Sequence, residues 1–175
     1  MPDLADRRRF EGAMMPHLDA AYNLARWLVG DGPDAEDVVQ EAYFRALKYF
    51  HAFRGDDGRT WLLKIVRHTC YSWLQKNRSR APAVSFDEQQ HSEASEAFNP
   101  ERALMERADH EMLRRGLDAL PVEYREALVL RELEGLSYHE IATVAGIPLG
   151  TVMSRLARGR KQLQQVLAAS REEES

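Results

Sequence analysis

The stretch from Leu136 to Leu163 constrains this chain more than any other. Ser137 and Glu140 stand three residues apart ahead of an apolar run, the spacing of a capping box that fixes a helix start. Ile141, Ala142 and Ala145 then fall on an inward face, where the two small alanines let another helix come close. Gly146 supplies the left-handed backbone that a side chain with a Cβ resists, and Pro148 opens a second helix because it cannot sit inside one. Along that second helix Val152, Leu156 and Leu163 point to a core. Thr151, Ser154, Arg155 and Arg158 recur at helical spacing as one exposed stripe. The pattern is a helix-turn-helix. Short hydroxyls followed by arginines suit a helix that enters the major groove of DNA N-terminus first. Arg160 and Lys161 are placed for phosphates, which supply affinity without sequence information.

The rest of the chain is helical by the same reasoning, and the fold class is all-α. Sustained period-two alternation is missing, and apolar residues recur at helical spacing. Phe10, Met14, Leu18, Ala21, Ala25 and Leu28 predict one long first helix, broken at Gly30-Asp31-Gly32-Pro33. Asp34 is the expected N-cap of a second helix, with Glu36 and Asp37 in its first turn and Val39, Tyr43, Leu47 and Phe50 as its buried stripe. A loop covers Phe53 to Gly58, and a third helix is expected from Thr60 to Lys76. Helical pattern resumes at Pro100, with a stripe of Leu104, Ala108, Leu113, Leu117 and Leu120. Pro121 starts a further helix carrying Tyr124, Leu128 and Leu130, which Gly135 ends.

Charge divides the chain into blocks. The net charge of −4 does not by itself suggest a nucleic-acid partner. Between Asp57 and Asp87, however, Arg59, Lys64, Arg67, Lys76, Arg78 and Arg80 stand without one acid. From residue 81 to 99 the sign reverses, with Asp87, Glu88, Glu93 and Glu96 and no Lys or Arg. That acidic stretch is poor in large apolar residues and reads as a flexible linker. Two small helical domains are therefore expected, at residues 1–80 and 100–170, joined by a linker at 81–99 and followed by a frayed tail at 171–175.

The basic block of the first domain has two sides. Lys64, Arg67, His68 and Tyr71 share one helical face, with Trp61 at its edge. Leu62, Ile65, Val66, Thr69 and Trp73 lie opposite, where Trp73 is a core anchor. Duplex backbone needs only charge, whereas rings beside charges are useful when bases are unstacked. The Lys64–Tyr71 face is thus a candidate for melted single-stranded DNA, with Trp61 readable either as a stacking ring or as a core anchor.

Several classes are excluded or disfavoured. No apolar run is long enough to span a bilayer, and the charged N-terminus has no following apolar core, so a cytoplasmic protein without membrane insertion is expected. The single Cys70 rules out an internal disulfide framework and reads as a small core residue. Histidines 17, 51, 68, 91, 110 and 139 have no metal-ligand spacing. No nucleophile–base pair, carboxylate cluster or phosphate loop is present, so no catalytic residue, metal or cofactor is expected and an enzyme is disfavoured. An ordinary helix-turn-helix regulator remains the alternative, although the first domain offers no ligand pocket, receiver sheet or dimerisation helix for it.

Taken in order, these segments resemble the extracytoplasmic-function group of bacterial sigma factors, the compact members that retain regions two and four. Asp34-Ala35-Glu36-Asp37-Val38-Val39-Gln40-Glu41-Ala42-Tyr43 is similar to the polymerase-binding helix of that family. Phe53-Arg54-Gly55-Asp56 and Thr60-Trp61-Leu62-Leu63-Lys64-Ile65 are similar to its −10 recognition and melting segment. Leu120-Pro121, Arg131 to Ala142 and Gly150 to Leu156 are similar to region four.

The resemblance implies docking on the β′ clamp helices of core RNA polymerase through Asp37, Gln40 and Glu41. It implies −10 contacts from Phe53, Arg54, Arg59, Trp61, Lys64, Arg67, His68 and Tyr71. It also implies −35 contacts from Thr151, Met153, Ser154, Arg155, Arg158, Arg160 and Lys161. The β flap and an anti-sigma factor are the further partners implied, with the linker threading toward the RNA exit path. Two positions depart from the common pattern: His68 stands where many relatives carry Asn, and Met153 where many carry Lys or Arg. The first bears on −10 base preference and its pH dependence, the second on −35 preference through a thymine methyl contact.

Overall fold

A computed structural model describes residues 3–30, 32–55, 57–77 and 100–175, with side chains of the last segment described from residue 108. The expectations at Leu104, Arg78, Arg80 and the 81–99 linker lie outside those residues. Every regular element among the described residues is helical, and none of these helices is long and apolar enough to cross a membrane.

Four helices build the first half: α1 (Leu4–Met14), α2 (Leu18–Val29), α3 (Pro33–Lys48) and α4 (Gly58–Lys76). The expected single first helix is two. Pro16 lacks an N–H and crowds the preceding turn, so Met15–His17 tightens into a 3-10 turn between α1 and α2. The stripe from Phe10 to Leu28 still faces the core, because a three-residue turn keeps the two faces nearly in phase. Helix α3 starts one residue early, with Gly32 as N-cap and Pro33 as first helical residue, so Asp34 is a first-turn acid rather than the cap.

The buried side of α3 is also displaced from the expected one. Ala35, Val38, Val39, Ala42 and Ala46 are buried, and Tyr43, Leu47 and Phe50 are only half-buried. Small side chains let α3 seat closely on α2 and α4, while the large ones line an open groove. Helix α4 starts at Gly58, not Thr60, because Asp57 accepts the Thr60 N–H at 3.0 Å as N-cap. Gly58 is required by close approach: a Cβ there would lie 2.8 Å from the Ala13 carbonyl oxygen.

The second half comprises α5 (Pro100–Asp118), α6 (Val122–Leu128), a π-helical turn (Val129–Leu133), α7 (Tyr138–Ala145) and α8 (Leu149–Glu174). In α5, Leu117 is buried and Leu113 half-buried, and Leu120 just beyond it is buried, but Ala108 is exposed, contrary to expectation. The capping box at α7 is complete: Glu140 N–H donates to Ser137 Oγ at 3.1 Å, and Ser137 N–H donates to Glu140 Oε1 at 2.9 Å. Gly146 ends α7 at φ +67°, and Val152 and Leu156 are buried under it. Helix α8 continues to Glu174, where a frayed tail is expected, because Gln, Leu, Ala, Arg and Glu favour the helix and no breaker follows Gly159.

The halves are not separate bodies on a string. Helix α4 packs against α7, and α2 packs against α6 and the π-helical turn.

Candidate nucleic-acid and docking faces

The recognition helix is presented to solvent. Its N-terminal turns lie just after the Gly146 turn, so α7 fixes its direction. Met153 is 53 % exposed, and Arg158, Arg160 and Lys161 are exposed beside it. Thr151, Ser154 and Arg155 are half-buried on the same stripe. Ser154 Oγ donates to the Thr151 carbonyl at 3.1 Å, which turns its hydroxyl back along the helix. Arg160 Nη2 meets Glu132 Oε1 at 2.8 Å on an exposed edge, a pair that water and salt weaken.

The α4 face is divided. Lys64 and His68 are exposed, and Arg54 is exposed on the loop before them. Trp61 is half-buried against rings rather than free: its centroid lies 5.1 Å from Phe53 and 6.4 Å from Phe50, and Phe50 stacks on Phe53 at 5.7 Å. Trp61 thus packs as a partial core anchor while part of its ring remains accessible. Trp73 packs half-buried against the core, as expected.

Arg59, Arg67 and Tyr71 depart from the expected open surface. Arg67 Nε donates to Glu126 Oε1 at 2.7 Å, and the Tyr71 hydroxyl donates to Glu126 Oε2 at 2.5 Å. The Arg67 guanidinium also lies 4.1 Å from the Tyr71 ring centroid. Arg59 donates to the Glu134 carbonyl at 3.1 Å and lies 3.5 Å from Glu140. Asn23 donates to the Glu134 carboxylate at 3.0 Å, and Arg125 to the Trp27 carbonyl at 2.9 Å. The second half therefore covers one margin of the basic face.

Glu126 is the residue that sequence reasoning missed. It is only 1 % exposed, a position carboxylates occupy only with partners. The signal available was an acid abutting the apolar run Ala127-Leu128-Val129-Leu130, where it turns inward. Its charge reaches its neighbours. Burial, then the Glu126 carboxylate, push the Tyr71 phenol above its usual value, and the same two causes push the Cys70 thiol up to about 12.

On α3, Asp37, Gln40 and Glu41 are exposed on one face, with Glu41 paired to Arg45 at 2.8 Å. The same face carries Phe44, 65 % exposed, which the sequence reading did not single out. Gln40 and Phe44 rim a groove of about 640 Å³ between α1, α2 and α3, floored by Phe10, Leu18 and Val39. An exposed large ring beside polar groups is the composition of a docking surface.

Residues 14–80 match the family described as Sigma-70 region 2, and residues 110–163 match Sigma-70, region 4. The chain belongs to the sigma-70 family, in the extracytoplasmic-function group. It is 34 % identical to the RNA polymerase sigma-H factor of Pseudomonas aeruginosa, over 93 % of this chain and 88 % of that protein. It is also 34 % identical to the ECF RNA polymerase sigma-E factor of Escherichia coli strain K12, over 90 % and 86 % respectively. Against the ECF RNA polymerase sigma factor SigE of Mycolicibacterium smegmatis, identity is 34 % over 95 % of this chain, which spans 64 % of that protein's length.

Among solved structures, the sigma factor RpoE of Bartonella quintana, in complex with the anti-sigma factor NepR, superposes with a TM-score of 0.72. The match has 26 % identity and covers 92 % of this chain and 98 % of that one. As a sigma factor the chain directs promoter-specific transcription and is an initiation factor rather than an enzyme. The region 2 match is what an ordinary helix-turn-helix regulator lacks.

Proposed function

We propose that this sigma factor reads promoters at two points and docks on polymerase through a third surface. Residues 100–170 set α8 in the major groove of the −35 element, with Thr151, Met153, Ser154, Arg155 and Arg158 toward base edges and Arg160 and Lys161 toward phosphates. Residues 1–80 hold the non-template strand of the −10 element on Phe53, Arg54, Arg59, Trp61, Lys64, Arg67, His68 and Tyr71, where rings stack on unpaired bases. Asp37, Gln40 and Glu41, joined by Phe44, meet the β′ clamp helices of core RNA polymerase, and the second domain also meets the β flap. Residues 81–99 connect the two. The polymerase performs the chemistry in the cytoplasm, and an anti-sigma factor is the expected inhibitory partner.

The observation that supports this most is the pairing of an exposed recognition stripe on α8 with a separate basic and aromatic face on α4. A single-point DNA binder has no use for the second. The test is transcription mapping with core polymerase and a promoter library. The expected result is initiation at a defined set of promoters sharing −35 and −10 elements. Duplex binding by the protein alone, with no initiation, would overturn the reading.

A further inference from the structure

Arg67 and Tyr71 form a two-donor cradle whose contents are defined by chemistry. An arginine only donates, and Tyr71 spends its hydroxyl proton toward the same point. Both donors converge on the two oxygens of one carboxylate, Glu126, at 2.7 and 2.5 Å. The fitting occupant is thus an anion that presents two adjacent oxygens. The non-bridging oxygens of a phosphodiester meet that description, with the same single charge. A base edge, with its mixture of donors and acceptors, does not.

Glu126 is suited to be a temporary occupant. It comes from the other half of the molecule, on α6, and its carboxylate is buried against a half-buried Arg67. A buried carboxylate without its cation is strongly unfavourable, so the pair holds the halves together only while both are present. When the halves part, Glu126 regains water and the cradle is emptied. A second set of contacts across the same boundary, from Arg59 to Glu134 and Glu140, lies at the other end of α4.

Resting on the reading of α4 as a single-strand face, we propose that Arg67 and Tyr71 form a phosphate site for single-stranded DNA and that Glu126 is its built-in competitor. In the closed chain the carboxylate fills the site, and in the open chain a backbone phosphate does. The free protein is thereby kept from engaging single-stranded nucleic acid, while α8 stays accessible.

The full chain is tested with a short, fluorescently labelled single-stranded DNA of mixed sequence, followed by anisotropy. Dyes placed by Gln75→Cys and Gln164→Cys report the distance between the halves, and thermal melting verifies that each variant is folded. Glu126→Gln removes the competing charge and is expected to tighten binding about tenfold, the worth of one charge-assisted hydrogen bond, and to lengthen the distance. Adding Arg67→Ala to that variant is expected to abolish the gain. A second arm does not depend on Glu126: Asn23→Cys with Glu134→Cys, joined by a short bismaleimide, is expected to lose single-strand binding relative to the unjoined double variant.

Unchanged distance and unchanged affinity in a folded Glu126→Gln protein overturn the lock. A longer distance without tighter binding, or a gain that persists without Arg67, overturns the phosphate site. The failure then lies in the reading of the α4 face, not in the closure.

Discussion

The two DNA faces of this protein are built from similar materials and kept in different states. On α8 the arginines follow a capped, glycine-terminated helix; Arg158 and Arg160 are exposed, Arg155 is half-buried, and Arg160 pairs with Glu132 of its own domain. On α4 the arginines share their helix with aromatic rings, and Arg59 and Arg67 are bonded to acids and a carbonyl of the other domain. Helix direction fixes the first face locally. The second depends on where a distant part of the chain sits. A face of charges and rings fits any single-stranded nucleic acid, so under the proposed lock its cover limits such binding in the free chain.

The sharpest way to break this comparison is chemical reactivity. Cys70 lies beneath the covered margin, with its thiol pushed up to about 12, first by burial and then by Glu126. Burial holds it as the neutral thiol, and the thiolate is the form that alkylates. Alkylation of native Cys70, fully buried, should be slower by more than about tenfold than alkylation at an introduced Met153→Cys, with unfolding erasing the difference. Equal rates would mean that the packing around α4 opens as freely as the α8 surface.

Packing beneath the open face comes next. Leu156 is fully buried, and Leu156→Ala should lower stability by about 2–5 kcal/mol in denaturant melts, with −35 recognition lost along with it. Base contact is a smaller effect. Arg158→Ala should cost about 1–3 kcal/mol in initiation at promoters that carry a strong −35 element, measured against variants of that element. Lys64→Ala should instead weaken opening whatever the −35 sequence.

The smallest effect concerns the joint between the faces. Ser137→Ala removes half of the capping box and should cost about 1 kcal/mol in a melting experiment. Glu140 lies below its usual carboxylate value because the Ser137 backbone N–H donates to it, with Arg59 adding charge. A depressed acid contributes stability above its unfolded value of 4.5 that is lost as pH falls through the folded value. Acid melting should therefore erode the α7–α4 contact below pH 4.5, and Glu140→Gln should flatten that dependence.

Most of the helix-turn-helix was legible because its signals are local: a box three residues wide, one glycine, one proline and a stripe on a single helix. The errors share a different cause. The α3 pattern puts large apolar residues in the core, yet alanines pack there and Tyr43, Phe44 and Leu47 border a groove, since close helix approach rewards small side chains. Pro16 was passed over inside a strong apolar stripe, because a short 3-10 turn preserves the stripe while breaking the helix. The basic and aromatic residues of α4 are legible in the sequence, but their bonds to the second half are not. Arg67 and Glu126 are 59 positions apart, and no periodicity within either helix reports the pairing.

The account turns on the covered face becoming uncovered when polymerase is bound. Labels at positions 75 and 164, both exposed, measure this directly by energy transfer in the free chain and in the reconstituted holoenzyme. A lock at Glu126 gives a short distance in the free chain and a distinctly longer one on core polymerase, with Glu126→Gln already lengthened before polymerase is added. The same distance in both states would contradict it.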